Sequence, residues 1–246
     1  MQLNHLVPLR AALTLTLLII TLNTVISMPQ RACTVEDILS RKHSEFQFTQ
    51  KFHDAFGHPE QSGVWFIWGD SGNGKTSFVL QLMNELAKWG RVAYASFEEH
   101  HAKTFTDAIA RADFGTREKR NMIFPADKTL DVLCNRMRRH KSPKFYIIDS
   151  VQFTGMTYPQ FIAFRNEFAN KLVIFISQAD GKKPLGRTAV KMMFAADLKI
   201  WVEGFVATSK GRYIGSNGGK YIIWEKGAQD IWGTSILNIN THEDNN

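Results

Sequence analysis

The sequence predicts an α/β fold with a mainly parallel sheet and helices on both of its faces. Short, nearly continuous apolar runs alternate along the chain with stretches of helical spacing, which is the pattern of buried strands joined by crossover helices. A glycine-rich segment at residues 69–76 lies between one such apolar run and the helix that follows it. Glycines and turn-forming residues near the C-terminus predict antiparallel hairpins added at one edge of the sheet.

Each predicted strand is bounded by charged or turn-forming residues. The helix after the glycine-rich segment places its apolar residues on one stripe from Phe78 to Leu86 and ends at Gly90, as expected of an amphipathic helix with a glycine stop. Residues 102–114 and 130–140 have the spacing of two further helices. The predicted main strands are residues 64–68, 91–97, 144–149, 171–177 and 197–202.

Length and composition indicate one main domain with short extensions. A chain of 246 residues, 44% of them hydrophobic, is long enough for one α/β domain with a substantial core. A capping signal at Thr34 predicts a short helix to about His43, and a last strand is predicted near residues 235–239. The predicted divisions are an apolar leader at residues 1–27, an N-terminal helical segment at 28–61, the α/β domain at 62–240 and a polar tail at 241–246.

The charge balance and the cysteines restrict the function only weakly. A formal net charge of +7 and a pI of about 9.4 favour anionic partners such as nucleic acid or nucleotide without selecting one. Cys33 and Cys134 are far apart and form no metal or redox motif, so we expect two reduced thiols in the cytosol rather than a disulfide framework.

Residues 69–76 read GDSGNGKT, a full match to the phosphate-binding motif G-x-x-x-x-G-K-[ST]. Its glycines let backbone N–H groups approach phosphates closely, and the start of the following helix adds positive potential. Lys75 can reach the β- and γ-phosphates, and the Thr76 hydroxyl can bind Mg²⁺. The predicted nucleotide-binding residues are Gly69, Asp70, Ser71, Gly72, Asn73, Gly74, Lys75, Thr76 and Ser77.

Two further acidic positions complete the predicted chemistry. Asp149 ends the apolar run FYIID, where a carboxylate can bind Mg²⁺ from the side opposite Thr76. The residue after Asp149 is Ser150 and not glutamate, so the base that orients the attacking water must lie elsewhere. Glu98 and Glu99 directly follow the run RVAYASF, at the end of that predicted strand, and are the candidates for that role.

Four motifs resemble those of the RecA-like ATPases and occur in the same order along the chain, namely GDSGNGKT, YASFEE, FYIIDSVQ and IFISQ. The resemblance is to the branch of replicative helicases and RadA-type repair ATPases in particular. The resemblance extends over roughly residues 62–227 and implies a RecA-like fold with ATP and Mg²⁺ as ligands. It selects Glu98 over Glu99 as the catalytic glutamate and implies that Gln178 senses the γ-phosphate. The chain is also similar to stand-alone ATPases of bacterial mobile elements and phages.

The same resemblance implies groups that act between subunits. Lys210 and Arg212 match a K-x-R pair that reaches the γ-phosphate of the neighbouring subunit in hexameric RecA-like helicases, although the residues after it depart from that pattern by one insertion. No arginine is evident that would act within its own subunit. We therefore expect a homo-oligomeric ring or filament; the alternative for Lys210 and Arg212 is a basic surface hairpin.

Two basic runs are candidates for contact with DNA. Lys182, Lys183 and Arg187 follow the predicted strand at 171–177, where RecA-like proteins often have a mobile loop that faces DNA. Such a loop would bind the phosphate backbone and not the bases; the alternative is a solvated loop without a nucleic-acid partner. The run RMRRHKSPK at residues 136–144 is at a predicted helix end, where its cations complement the helix dipole. We favour that structural role for the second run.

The predicted function is Mg²⁺-dependent ATP binding and hydrolysis in DNA replication, recombination or mobile-element maintenance. The alternatives are a non-motor nucleotide switch that binds a protein partner and, less favoured, a kinase for a small molecule. ATP chemistry indicates a cytoplasmic location.

The apolar leader admits three interpretations, namely an upstream extension before a true start at Met28, a signal peptide or a membrane anchor. We favour the extension, and we expect membrane contact only where the leader is retained.

Overall fold

The computed structural model describes residues 31–97, 103–214 and 218–240, with the side chains of residues 238–240 left undescribed. The chain divides into two compact units, at Lys42 and His43. In the first unit, helix α1 (Val35–Leu39) begins with the predicted capping signal, because the Thr34 and Asp37 side chains each accept a hydrogen bond from the other residue's backbone N–H. This helix ends earlier than predicted, at Ser40.

The described part of the second unit contains a nine-stranded sheet. Its order is β3-β2-β4-β5-β1-β7-β8-β9, and β6 pairs with the end of β5. The strands from β3 to β7 in that order are parallel, whereas β8 and β9 are antiparallel. The strands are β1 (Gly63–Gly69), β2 (Val92–Ser96), β3 (Met122–Ile123), β4 (Phe145–Asp149), β5 (Leu172–Asp180), β6 (Lys183–Pro184), β7 (Leu198–Glu203), β8 (Val206–Gly211) and β9 (Gly219–Ile222).

Helices cover both faces of this sheet, as predicted. The helices of the second unit are α2 (Gln50–Phe56), α3 (Lys75–Leu86), α4 (Lys103–Arg111), α5 (Thr116–Asn121), α6 (Leu130–Met137), α7 (Tyr158–Glu167), α8 (Arg187–Ala195) and α9 (Glu225–Trp232), with 3₁₀ turns at Val151–Thr154 and Thr234–Asn240.

Side chains alternate between two hydrophobic cores along the central strand. Trp65 and Ile67 of β1 point into a core formed with α2 and α3, whereas Val64 and Phe66 point into a second core formed with α6, α7 and α8. All four are buried, which explains why the strand reads as a continuous apolar run rather than as an alternating one. Residues 43–62, which precede β1, belong to the same unit as the sheet, and the ring of Phe46 packs edge-on against Trp65.

The C-terminal edge confirms the predicted hairpins but not the predicted last strand. Strands β7, β8 and β9 form an antiparallel extension at one edge of the sheet. The prediction of a strand near residues 235–239 is wrong, because this segment is a 3₁₀ helix. Ile236 packs with Val206 and Ala228 in a small third core, so its apolar side chain is buried against the hairpin without joining the sheet.

No helix within the described ranges is long and apolar enough to cross a membrane. The predicted leader at residues 1–27 and the predicted tail at 241–246 lie outside those ranges.

Candidate nucleotide-binding site

The phosphate-binding motif begins where the central strand ends. Gly69 is the last residue of β1 and lies between β5, where its register partner is Gln178, and β7. A Cβ atom at Gly69 would lie 2.1 Å from the carbonyl oxygen of Val202. Only glycine therefore allows β1 to lie this close to β7 at its last residue. The phosphate loop begins at this point, at the carboxyl edge of the sheet.

The loop conformation depends on two left-handed glycines and leads directly into a helix. Gly72 has φ of +77° and Gly74 has φ of +93°, values at which residues with a Cβ are strained. Gly74 is the N-cap of α3, so the first amides of this helix face the loop. The Lys75 ammonium group donates a hydrogen bond of 2.8 Å to the carbonyl of Asp70 across the loop. The segment thus has the shape and the donors of a phosphate cradle.

A turn of the antiparallel extension braces the loop. The Asn73 side-chain oxygen accepts a 2.7 Å hydrogen bond from Gly204 N–H, and the Asn73 carbonyl accepts one of 3.2 Å from Phe205 N–H. Gly204 and Phe205 connect β7 to β8, and both have positive φ. The Trp232 indole of α9 donates to the Gly204 carbonyl at 3.1 Å. Hydrogen bonds to this turn therefore stabilise the loop conformation.

Asp149 and Thr76 both line one cleft at the carboxyl edge of the sheet. Asp149 ends β4 opposite Ser96 of β2, and its carboxylate accepts a hydrogen bond from the Tyr94 hydroxyl. A carboxylate and a hydroxyl are the oxygen ligands that Mg²⁺ prefers. The residues present therefore fit the predicted metal.

The cleft has a volume of about 630 Å³, which is within the range of pockets for small-molecule ligands. Its lining includes the phosphate-loop residues Lys75, Thr76 and Ser77 together with Asp149 and Gln178. Parallel strands bring these residues together because their carboxyl ends meet at the same edge of the sheet.

Gln178 lies in the cleft beside the phosphate loop, and a second glutamine supports it. The Gln152 side chain donates to the Ser177 hydroxyl at 2.8 Å and to the Leu185 carbonyl at 2.9 Å, while its oxygen accepts from Gln178 N–H at 3.3 Å. Gln152 thus joins the segment after β4 to the end of β5. The sequence interpretation assigns Gln152 no bridging role; only its position three residues after Asp149 could have suggested one.

The predicted catalytic glutamate, Glu98, and its alternative, Glu99, lie outside the described residues. The chain that leads to them from β2 is described as far as Phe97, whose N–H donates to the Asp149 carbonyl at 2.5 Å. The assignment of Glu98 stays a prediction from the sequence.

Lys210 and Arg212 lie at the opposite edge of the sheet from the phosphate loop. Strand β8 runs antiparallel to β7, so its end, Gly211, pairs with the beginning of β7 at Leu198. Lys210 is exposed, and an Arg212 guanidinium nitrogen lies 3.7 Å from a carboxylate oxygen of the buried Asp197. The fold therefore does not bring this pair to the cleft of its own subunit. Lys210 and Arg212 could contact a nucleotide only in the cleft of a neighbouring subunit.

The basic segment after β5 is more ordered than the open loop expected from the resemblance. Asp180 pairs with Lys183 in a short hairpin, and Arg187 begins α8. The Trp68 indole fixes this hairpin by donating to the Lys182 carbonyl at 3.1 Å. The side chains of Lys182, Lys183 and Arg187 are exposed, so they stay candidates for contact with an anionic partner.

In the second basic run, two arginines are paired with carboxylates. Arg136 donates two hydrogen bonds to Asp127, at 2.6 and 2.9 Å, and this pairing raises the pKa of its guanidinium. Arg138 similarly donates to Glu167 at 2.6 and 3.1 Å. These two arginines therefore have a structural role as ion-pair partners, and the proposed interaction with the helix dipole stays a prediction.

The structure adds cleft residues that the sequence interpretation does not identify. Helix α4 contributes Thr104, Phe105, Ala108 and Arg111 to the lining, and the turn after β7 contributes Phe205. No local motif marks these positions, although the apolar spacing of α4 predicts that one of its faces packs inward. The lining thus includes an arginine, Arg111, of the same subunit.

Comparison with known proteins identifies the fold. No protein-family model matches the chain, and no curated protein matches it. Among solved structures, the chain is similar to the flagellar accessory protein FlaH from Methanocaldococcus jannaschii, with a TM-score of 0.51 and 14% identity over 70% of this chain and 92% of that chain. This similarity concerns the fold and does not support the helicase or RadA branch in particular. Together with the observed sheet, it shows that the chain has a RecA-like α/β fold.

Proposed function

We propose that this chain binds Mg·ATP in the cleft and hydrolyses its terminal phosphoanhydride bond. The observation that carries the proposal is that Lys75, Thr76 and Asp149 line the same cleft, at the N-terminus of the helix that follows the glycine loop. Bound Mg²⁺ would neutralise charge on the phosphates, and Thr76 and Asp149 would hold it. Lys75 and the amides would bind the β- and γ-phosphates.

Two further residues have proposed roles around the terminal phosphate. Gln178 ends up beside Gly69 in the strand register, where its side-chain amide can contact the γ-phosphate. Glu98, by its place after β2, would orient the attacking water.

We further propose a cytoplasmic protein that acts on DNA, as the motif resemblance to helicases and RadA-type ATPases implies. The exposed cations Lys182, Lys183 and Arg187 support this part, because they follow directly from the strand that carries Gln178. Binding or hydrolysis of nucleotide next to Gln178 would then alter the position of the segment that carries Lys182, Lys183 and Arg187. Assembly into a ring or filament would give Lys210 and Arg212 access to a neighbouring site.

The test is binding of a fluorescent ATP analogue with and without Mg²⁺, followed by turnover with and without single-stranded DNA. Mg²⁺-dependent binding together with DNA-stimulated turnover supports the whole proposal. Slow, DNA-insensitive turnover favours a nucleotide switch over a DNA-dependent ATPase. Turnover that depends on an added small-molecule acceptor favours a kinase. Absence of nucleotide binding overturns the proposal.

Glu98→Gln is expected to lower the turnover number by about 100-fold, the usual contribution of a positioned base, and to leave the affinity for Mg·ATP unchanged. The substitution removes the charge that orients water but keeps the size of the side chain. Steady-state phosphate release and equilibrium binding measure the two effects. Glu99→Gln is the matched control, since it makes the same change at the next residue. If Glu99→Gln loses turnover and Glu98→Gln retains it, the base has been assigned to the wrong glutamate.

A further inference from the structure

Helix α4 presents one continuous stripe to the nucleotide cleft. Thr104, Ala108 and Arg111 all line the cleft, and their spacing of four and three residues places them on the same helix face. Phe105 anchors the helix beside this stripe, since its ring packs 5.1 Å from that of Tyr94 and 5.9 Å from that of Phe124. The position of Arg111 is therefore set by a packed helix rather than by a free loop.

Among the described residues that line the cleft, the cationic side chains are Lys75 and Arg111. Lys75 belongs to the phosphate loop, so Arg111 contributes a second positive charge from another wall of the same cleft. A guanidinium group binds phosphate through two parallel N–H donors, which a lysine cannot do. The cleft thus contains, within one subunit, the arginine that the sequence motifs lack.

No carboxylate of the described residues holds the side chain of Arg111, in contrast to those of several arginines of the fold. Arg136, Arg138 and Arg165 each pair with a carboxylate. Arg111 is exposed and makes no hydrogen bond or ion pair within the described part of the chain. Its donors are therefore available to an anion that enters the cleft.

We propose that Arg111 binds the polyphosphate of the nucleotide in its own subunit. This inference rests on the proposed function and deepens it, because it supplies a phosphate-binding arginine without a neighbouring subunit. The predicted pair Lys210 and Arg212 is at the opposite edge of the sheet, and Arg212 already faces Asp197. If Arg111 fills the role, nucleotide binding does not require an arginine from a neighbouring subunit.

The experiment compares Arg111→Ala, Arg111→Lys and the control Arg117→Ala in the full chain. Arg117 is an exposed arginine of the neighbouring helix α5 that does not line the cleft. Competition binding would measure the dissociation constants of ATP and AMP, and dilution would test whether turnover per subunit depends on concentration. Thermal melting would confirm that each variant is folded, since an exposed side chain contributes little to stability.

Loss of one charge-assisted contact predicts that Arg111→Ala weakens ATP binding by roughly 10- to 100-fold and leaves AMP binding nearly unchanged. Arg111→Lys should retain an intermediate affinity for ATP, and Arg117→Ala should match the wild type. Turnover per subunit of the wild type should stay constant on dilution.

Three results would overturn the inference. Wild-type affinity for ATP in Arg111→Ala would show that Arg111 does not bind phosphate, while the proposed function would stand. An equal loss of ATP and AMP binding would show that Arg111 acts on the nucleoside or on the fold. Absence of ATP binding by the wild-type protein would remove the proposed function itself, and with it the inference.

Discussion

Lys75→Ala is expected to weaken the affinity for Mg·ATP by at least about 100-fold and to abolish measurable turnover. The ammonium group lies inside the phosphate loop, where it donates to the Asp70 carbonyl at 2.8 Å. Alanine removes a full positive charge from a cleft in which the polyphosphate has to be neutralised, and loop amides alone cannot replace it. Isothermal titration and phosphate release would measure the two effects.

The matched control is Lys103→Ala, which removes a lysine whose side chain is 92% exposed on helix α4. It should retain wild-type affinity and turnover. The fold of Lys75→Ala should also be intact, because the half-buried side chain lines the cleft and belongs to none of the three hydrophobic cores. A folded Lys75→Ala protein that still binds Mg·ATP with wild-type affinity would show that the phosphates lie elsewhere.

Gly69→Ala is expected to lower the free energy of unfolding by about 3 kcal/mol or more. The added Cβ would meet the carbonyl oxygen of Val202 at 2.1 Å and its carbonyl carbon at 3.1 Å. Both are backbone atoms of the neighbouring strand β7, so no side-chain rotation relieves the clash. The central strand would have to separate from β7, at the point where the phosphate loop begins. Denaturant unfolding would measure the loss.

Gly72→Ala is a control variant that measures the effect of backbone conformation without a steric clash. A Cβ at Gly72 would have no atom within 4 Å, but the φ of +77° is unfavourable for alanine. Its cost should be about 1 kcal/mol, the usual penalty for a strained φ. Equal destabilisation by the two substitutions would mean that β1 and β7 can move apart freely, contrary to the packing of this sheet.

The main strands and the phosphate loop could be predicted because buried parallel strands leave a strong sequence pattern. Residues 145–148 and 172–176 are apolar throughout, and the structure has β4 and β5 there. The motif at residues 69–76 is recognisable because its chemistry requires glycine and lysine at fixed positions. The ends of elements were less predictable: β5 continues to Asp180, where it pairs with Lys183 beyond the apolar run.

Other parts of the site depend on tertiary contacts that no local pattern records. Arg111 reaches the cleft only because α4 packs with its Phe105 side against Tyr94. Phe205 lies beside Gly74 because it belongs to a turn with left-handed backbone. The residues next to Phe205 in the sequence do not indicate this contact with the phosphate loop. The segment at residues 235–239 has too few residues to distinguish a strand from a 3₁₀ turn by spacing. What it packs against decides its conformation.

The chain of hydrogen bonds from the Trp232 indole through Gly204 to Asn73 has a practical consequence for anyone shortening this protein. A truncation before α9 would retain every residue of the phosphate motif. It would nevertheless release the turn at Gly204, whose backbone holds the Asn73 side chain. We expect such a fragment to lose affinity for nucleotide although its signature motif is untouched, so the boundary of a usable fragment lies beyond Trp232.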